Sequence, residues 1–600
     1  MSEKIVRIGG ASGYWGESDM ATPQLLKAGG IDYIVYDYLA EITMSIMARA
    51  RAADPDKGYA LDFVSNVLKN NLPEIARQGV KILSNAGGVN PVACGKAIEA
   101  VVAELGLDLK VAVITGDDVL EDVQAGKFGP LTEMFTGAAM PPAAKFMSAN
   151  AYLGAFPIAE ALKAGADIVV TGRCVDSAVT LGAAIHEFGW TVDDLDQLSG
   201  GSLAGHVIEC GPQCCGGNFT DWEEIVDGIA DIGYPIAEMR ADGSFSITKP
   251  AGTGGKVSVG TVSEQIVYEI GDPQAYMLPD VICDFSTVSV TQDGPDRVSV
   301  AGARGHTAPS TYKVSATYAD GFRGVQLMTF AGFDAKKKAE AYAAAGLKRA
   351  RQKLHDMNAP DYEEVSLEIV GAESQFGDFA NPDLSPREVM LKLGVKHVDQ
   401  KAVGLLFKEM MGMALATPAG LAGVGGGRPK PSPVVRLFST TLGKDRLDVK
   451  MSIAGTTQDI AVSPGAKFDA ATLPRPAEPA KTPEGDTVDV PLIALAWARS
   501  GDKGDKANIG VIARDPSYFP YIANALTADV VAARFAHFSQ GRVDRFVMPG
   551  MNALNFLIDE ALGGGGIASL RSDPQAKTYG QILLATPVAV PAALAAKLTT

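Results

Sequence analysis

Acidic, amide and guanidinium side chains recur at one kind of position in this chain, the residue or two after an apolar run. Asp37 follows DYIVY, Asn85 follows VKILS, Asp117 and Asp118 follow KVAVITG, and Arg173 follows ADIVVTG. Asp37 and Glu41 are four residues apart, so on one helical turn they would face the same way as paired carboxylates, one pushed toward neutrality by the other. The structural alternative is that Asp37 caps a helix and Glu41 is a first-turn acid favoured by the dipole. Asp32 and Asp62 extend this acidic set. Asn85 and Asn90 can orient a carbonyl, with Gly87 and Gly88 between them and Pro91 at a helix start. Arg173 is a planar fork for an anionic group, followed by Asp176 and Ser177. Asp37, Glu41, Asn85, Asn90, Arg173 and Asp176 are therefore the predicted catalytic set.

Glycine-rich stretches add places to hold an anion. Gly10-Ala11-Ser12-Gly13-Tyr14-Trp15-Gly16 fits G-x-x-G-x-x-G after the first apolar run, and Asp37 falls about 20 residues on, where a dinucleotide ribose would be met. An NAD(P)-linked oxidoreductase of that kind would also need a tyrosine and a lysine four apart, and no Y-x-x-x-K occurs. The alternative is a turn gripping another anion, or close strand–helix packing. Gly87, Gly88, Ser177, Gly217 and Asn218 join Gly10, Ser12, Gly13 and Gly16 as predicted anion-binding positions. Asp502, Lys503, Lys506 and Asn508, in RSGDKGDKANIG, read as a loop of fixed charges able to clamp a phosphate or carboxylate. His206 and Glu209 beside Cys210, Cys214 and Cys215 suggest a metal ligand set, but one cysteine cluster without a second does not meet zinc spacing, so no metal is predicted. His306 and His537 are the remaining acid–base candidates, and Cys174 is a buried thiol rather than a nucleophile.

The elements that position these residues are short apolar runs without alternation, each followed by a glycine-containing turn and a helical stretch, from about Ile5 to Ile185. That pattern predicts parallel strands covered on both faces: an open, doubly wound, mostly parallel α/β sheet. Ligands of such sheets bind beyond the carboxyl ends of the strands, which is where the residues above fall. Residues 200–462 mix turns such as CGPQCCGGN and GLAGVGGGRP with strands and read as an α+β extension of the 1–199 core. Residues 463–489, rich in Pro and Ala, read as a linker, and 490–600 as a small α+β domain.

At 600 residues, 47% of them hydrophobic, the chain is well above a single-domain length of roughly 150. A net charge of −17 is the wrong sign for a nucleic-acid binder. No run of 18 apolar residues and no export signal is present, and six cysteines in 600 residues suit a reducing compartment. These features predict a cytoplasmic protein, without membrane or nucleic-acid partners, acting on a small molecule and plausible as a homo-oligomer.

The runs GGASGYWGES, DYLAEITM, GYALDF, SNAGGVNP, TGRCVDSA, GGNFTDW, GTGGKV and RSGDKGDKANIGV resemble the acyclic terpene utilisation protein A (AtuA) family. The resemblance covers a large domain over about 4–450 and an associated C-terminal domain, described as ferredoxin-like, over about 490–598. It implies a catabolic role beside enzymes that degrade acyclic terpenes and branched acyl-CoA intermediates. Together with the residues, it gives the expectation of a hydratase or lyase acting on an acyl thioester or related carboxylate. A CoA thioester is then the compatible substrate, and no cofactor is firmly implied. A non-catalytic organiser that binds acyl-CoA or partner enzymes is the reading from a different class.

Overall fold

The computed structural model describes residues 4–423, 427–480 and 485–598; residues 424–426 of the predicted GLAGVGGGRP turn and 481–484 of the predicted linker lie outside the described residues. Six strands open the chain: β1 (Val6–Gly10), β2 (Tyr33–Tyr36), β3 (Lys81–Ser84), β4 (Val111–Thr115), β5 (Phe146–Ala151) and β6 (Ile168–Thr171). Five of them lie side by side in the order β1-β2-β3-β6-β4, every pairing parallel.

Successive residues of these strands enter two different cores. Tyr33 and Val35 pack with the helices Phe156–Lys163, Ala178–Phe188 and Leu195–Ile208, whereas Ile34 and Tyr36 pack with Ala21–Ala28, Glu41–Ala53 and Pro91–Glu104. A strand buried on both faces has no polar side to present, which is why these runs show no alternation.

The sheet does not stop at the parallel strands. Ile236–Met239, Phe245–Thr248, Arg297–Ala301 and Ser289–Gly294 extend it beyond β1, and Lys450–Ile453 with Thr456–Asp459 extend it beyond β4. All six additions are antiparallel, so the eleven-stranded sheet is mixed, and the expectation of a mostly parallel sheet holds for its centre alone. Connection length decides this: the turn between Met239 and Phe245 is far too short for the crossover that parallel pairing demands. Because all six come from residues 200–462, position 199/200 is not a boundary of the sheet.

A second sheet is organised by the long strand Thr311–Ala331. Its first half pairs with β5 and Ser432–Gly443, and its second half with Glu388–His397, which also pairs with Glu364–Val370. The helices Ala335–Asp356 and Gln400–Gly412 cover the latter part through Tyr342, Val403, Leu406 and Phe407.

The C-terminal unit has a four-stranded antiparallel sheet, ordered Ala496–Lys503, Lys506–Ala513, Ala553–Ile558, Val543–Met548, with its own apolar core. RSGDKGDKANIG is therefore a β-hairpin, and not the loop of fixed charges expected; only Gly504 and Asp505 turn the chain. Gly504 sits at φ +64°, the left-handed value that a glycine-first two-residue hairpin turn requires.

The two units share buried surface. Ile512, Met548, Met551 and Ala553 belong to the main core of the large unit. Asn508, fully buried, accepts the Glu269 backbone N–H at 2.9 Å and donates to the Val267 carbonyl at 2.7 Å, and Asn555 donates to the Gly271 carbonyl at 2.6 Å. Asp221 accepts both Arg514 Nη1 and Nη2 at 2.6 Å. The predicted linker is strapped to the large unit: Arg475 pairs with Asp272 at 2.7 Å, and the Pro474 carbonyl accepts Gln274 Nε2 at 3.1 Å. Asn508→Ala should leave two buried backbone groups unpaired and lower stability by about 3 kcal/mol, visible as a reduced denaturant midpoint with the secondary structure unchanged.

Candidate active site

The carboxyl ends of β2, β3 and β6 bring Asp37, Asn85 and Arg173 together. The Asp37 N–H donates to the Ser12 carbonyl at 3.0 Å, which ties the end of β2 to the glycine turn after β1. Asn85 Oδ1 accepts the Tyr38 N–H at 2.8 Å, and its Nδ2 donates to Asp37 Oδ1, which also accepts the Leu39 N–H at 3.3 Å. Arg173 donates Nη1 to the Leu39 carbonyl at 2.7 Å, pairs with Asp176 at 2.8 Å, and lays its guanidinium over the Tyr152 ring 4.0 Å from the centroid. Asp117, at the end of β4, holds this turn by accepting the Arg173 N–H at 2.8 Å. Burial pushes its carboxyl up to about 7, against the bonds from Arg173 and Asn150.

Glu209 completes the group. Oxygen atoms of Asp37, Asp176 and Glu209 lie within 4.8 Å of one another. Glu209 follows the helix Leu195–Ile208, and its Oε1 is 3.1 Å from His206 Nδ1. Burial raises Glu209 to about 7 although His206 opposes the shift. Asp37 is driven well above the ordinary carboxylate range by burial and then by Asp176, with Arg173 pulling the other way. With Asp37 Oδ1 committed to Asn85 and Leu39, Oδ2 is the oxygen left to carry a proton. The group reaches solvent through Asp176, whose side chain is one-third exposed.

Glu41 behaves in the opposite sense. Its Oε1 accepts the Tyr152 hydroxyl at 3.1 Å and lies 3.6 Å from Lys313 Nζ. Burial would raise it, but Lys313 and Arg173 outweigh that and hold it near 2. It is an anion at neutral pH, the opposite of a carboxyl pushed toward neutrality. Asp37 does not cap the following helix either: Ala40 occupies the cap position, with no side-chain cap bond.

Lys503 enters from the other unit. Its ammonium stands over the Tyr276 ring, 5.5 Å from the centroid, with no ion pair among the described residues. Burial alone would lower it, yet Tyr276, Glu269, Asp176 and Glu209 keep it firmly protonated. Beside it, Lys577 pairs with Glu269 at 2.8 Å and Asp502 at 3.3 Å. Burial, reinforced by Glu269, raises Asp502 to about 7.

The remaining predicted positions have structural employment. Gly10 and Gly13 admit the helix end that carries Glu209: a Cβ on Gly10 would strike the Ile208 carbonyl, and one on Gly13 would lie 2.7 Å from Cys210 Cα. Three of the turn's amides are already spent, Gly10 on Pro235, Ala11 on Val35 and Gly13 on the Glu17 carboxylate at 2.6 Å. The anion gripped by this turn is the protein's own, which argues against a pyrophosphate there and against the NAD(P) reading. Gly16 is at φ +95° with open space around it, and Ser12 Oγ donates to the Tyr14 carbonyl. A Cβ on Gly87 would meet the Thr171 carbonyl, and one on Gly88 would meet Met47, so both serve backbone approach. Asn90 caps the helix Pro91–Glu104 and donates to the Pro55 and Lys57 carbonyls at 2.8 Å, so it is not a carbonyl polariser.

Ser177 packs against Gly205, Lys506 is paired with Asp559 at 2.6 Å, and Asn508 bridges the units as described. Gly217 donates its N–H to the Pro212 carbonyl, and Asn218, at φ +58°, accepts Arg499 through its carbonyl in a separate cleft of about 210 Å³. Asp32 accepts the Arg7 N–H, Asp62 accepts Trp15, His537 bonds the Gln375 carbonyl, and His306 lies against Phe468. Cys174 is buried and its thiol is pushed up to about 12.

Asp37, Asp176 and Glu209 are the one group of three or more His, Cys, Asp or Glu side chains in metal-binding proximity among the described residues. Arg173 already supplies the positive charge there. The cysteines near His206 are not part of that group. Lys313, Tyr152, Tyr276 and Glu269 carry no sequence signal, because they come from segments remote from any strand-end motif. Glu209 carries a faint one, its i,i+3 spacing from His206.

The chain matches the family described as acyclic terpene utilisation family protein AtuA over residues 6–453, and the AtuA ferredoxin-like domain over residues 490–589. Comparison with curated proteins and with solved structures gives no match. Residues 6–453 and the hairpin unit that delivers Lys503 together place this chain in the AtuA family of acyclic terpene utilisation proteins.

Proposed function

We propose that the group around Asp37 is the acid–base centre of a cytoplasmic catabolic enzyme that adds or removes water at a branched acyl thioester or related carboxylate. The observation that carries the reading is a pair of carboxyl groups raised by burial, Asp37 well above the ordinary carboxylate range and Glu209 to about 7, beside an ammonium, Lys503, with no ion pair among the described residues. Groups tuned to the working pH are what proton transfer requires. Lys503 holds the anionic or carbonyl end of the substrate, and Arg173 keeps the field positive as negative charge develops on that oxygen.

In the dehydrating direction Glu209 takes the proton from the carbon next to the carbonyl. The C–H electron pair becomes the new double bond as the C–O bond breaks, and Asp37 Oδ2 protonates the departing oxygen to water. Proton exchange with solvent through the exposed side of Asp176 restores both groups. Cleavage of a carbon–carbon bond at the same position would use the same two carboxyls, and the choice between them belongs to the substrate.

Asp37→Asn keeps the size and the Asn85 contact but removes the proton, so turnover should fall at least 100-fold with folding intact. A panel of branched acyl-CoA thioesters, followed by mass spectrometry for 18 Da changes or acetyl-unit loss, measures it; normal turnover in the variant would exclude Asp37 from the chemistry, and a blank panel with the native protein would favour a binding role. The rate of the native enzyme should rise with pH through about 7 as Glu209 loses its proton, and Glu209→Gln should lose that limb.

The same shift has a stability consequence of opposite sense. A carboxyl whose folded pKa is raised holds its proton in the folded state while the unfolded chain has already released it, so stability falls as pH rises from about 4.5 to 7. Glu209→Gln should therefore melt higher than the native protein at pH 8, with the difference vanishing near pH 4. Lys503→Gln should raise KM at least tenfold with a smaller effect on kcat, because it removes a binding charge.

A further inference from the structure

The proposed reaction leaves unused a hollow of about 590 Å³ on the second sheet, between the end of the helix Ala335–Asp356, the helix Gln400–Gly412 and residues 428–431. Its walls are apolar where Leu354, Met357, Leu405 and Pro431 meet. Lys401, Lys408, Arg428 and Lys430 ring it, and none of these four cationic groups has a carboxylate partner among the described residues. The acid in the lining, Asp399, accepts the Lys401 N–H at 2.9 Å and caps the helix.

This concentration of charge runs against the composition of the molecule. The whole chain carries −17, whereas residues 322–431 hold 15 basic side chains against 13 acidic ones. Four unpaired cations around one apolar concavity repel each other in the empty state, and an anion relieves that repulsion while its tail covers the walls. A separation of eleven residues along the strand between Lys313 at the carboxylate group and Gly324 beneath Phe407 corresponds to roughly 35 Å, so the two places are independent.

We propose that this hollow is a binding site for a small anionic amphiphile, an apolar chain ended by a single anionic head group. The volume is that of a one-molecule pocket, and a concave apolar lining cannot insert into a flat bilayer, so the occupant is a free molecule and not a membrane surface.

Calorimetric titration of the full chain with decanoate tests it, with decanol as the uncharged control. Saturable binding at one site is expected, at least tenfold weaker for decanol and at least tenfold weaker at high salt. The double variant Lys408→Gln/Arg428→Gln should lose at least tenfold in decanoate affinity. Gly404→Leu should abolish binding without touching a charge: Gly404 is helical and a Cβ there meets only Pro431 at 3.9 Å, so the larger side chain fills the hollow and not the core. Equal decanoate binding by the native protein and both folded variants, or no saturation at millimolar decanoate, would overturn the proposal. Co-sedimentation with phosphatidylglycerol vesicles that depends on Lys408 and Arg428 would overturn it in favour of a membrane surface.

Discussion

Three carboxyl groups within 4.8 Å of one another cannot all be ionised and dry. The structure meets that constraint with one buried guanidinium, one ammonium from a different unit, and an upward shift of the Asp37 and Glu209 carboxyls. Arg173 is the pivot: it stacks on Tyr152, bonds the Leu39 carbonyl and pairs with Asp176. Its charge offsets burial at Asp37 without cancelling it, so the Asp37 carboxyl is shifted up, while Glu41, with Lys313 beside it, is shifted down. Two acids four residues apart thus end with shifts of opposite sign. Environment assigns the roles, as it does wherever paired carboxyls divide acid and base work.

The glycines serve this arrangement indirectly. Gly10 and Gly13 remove the side chains that would hold the end of the helix Leu195–Ile208 away from the first strand, and that approach is what sets Glu209 beside Asp37. Gly87 does the same between the ends of β3 and β6, fixing the turn that carries Asn85. A motif that resembles a phosphate cradle is here a packing device, and the anion it grips is Glu17. Docking of the C-terminal hairpin supplies the remaining charge, which couples the site to the buried asparagine contacts between units.

Much of the parallel centre was legible because its strands are buried on both faces and each ends in a polar turn; Asp37, Asn85 and Arg173 stand out for that reason alone. The antiparallel edges were not legible, since four-residue strands such as Ile236–Met239 carry too short a pattern to reveal their direction. RSGDKGDKANIG has the composition of a loop because its charges hide the pairing of Ala496–Lys503 with Lys506–Ala513. Asn90 and Asn508 carry the residue type of a carbonyl-orienting group, but their amides are spent on backbone carbonyls, which composition cannot foresee.

Local sequence by itself determined the family, the central strands and the turns at their ends, since these depend on hydrophobic burial and on residues adjacent in the chain. Tertiary structure alone decided that Glu209 and Lys503 join Asp37 and that Glu41 is held ionised. Protonation state and charge pairing are set by distances between segments hundreds of residues apart, and the free energy of a buried charge depends on those distances, not on its neighbours along the chain.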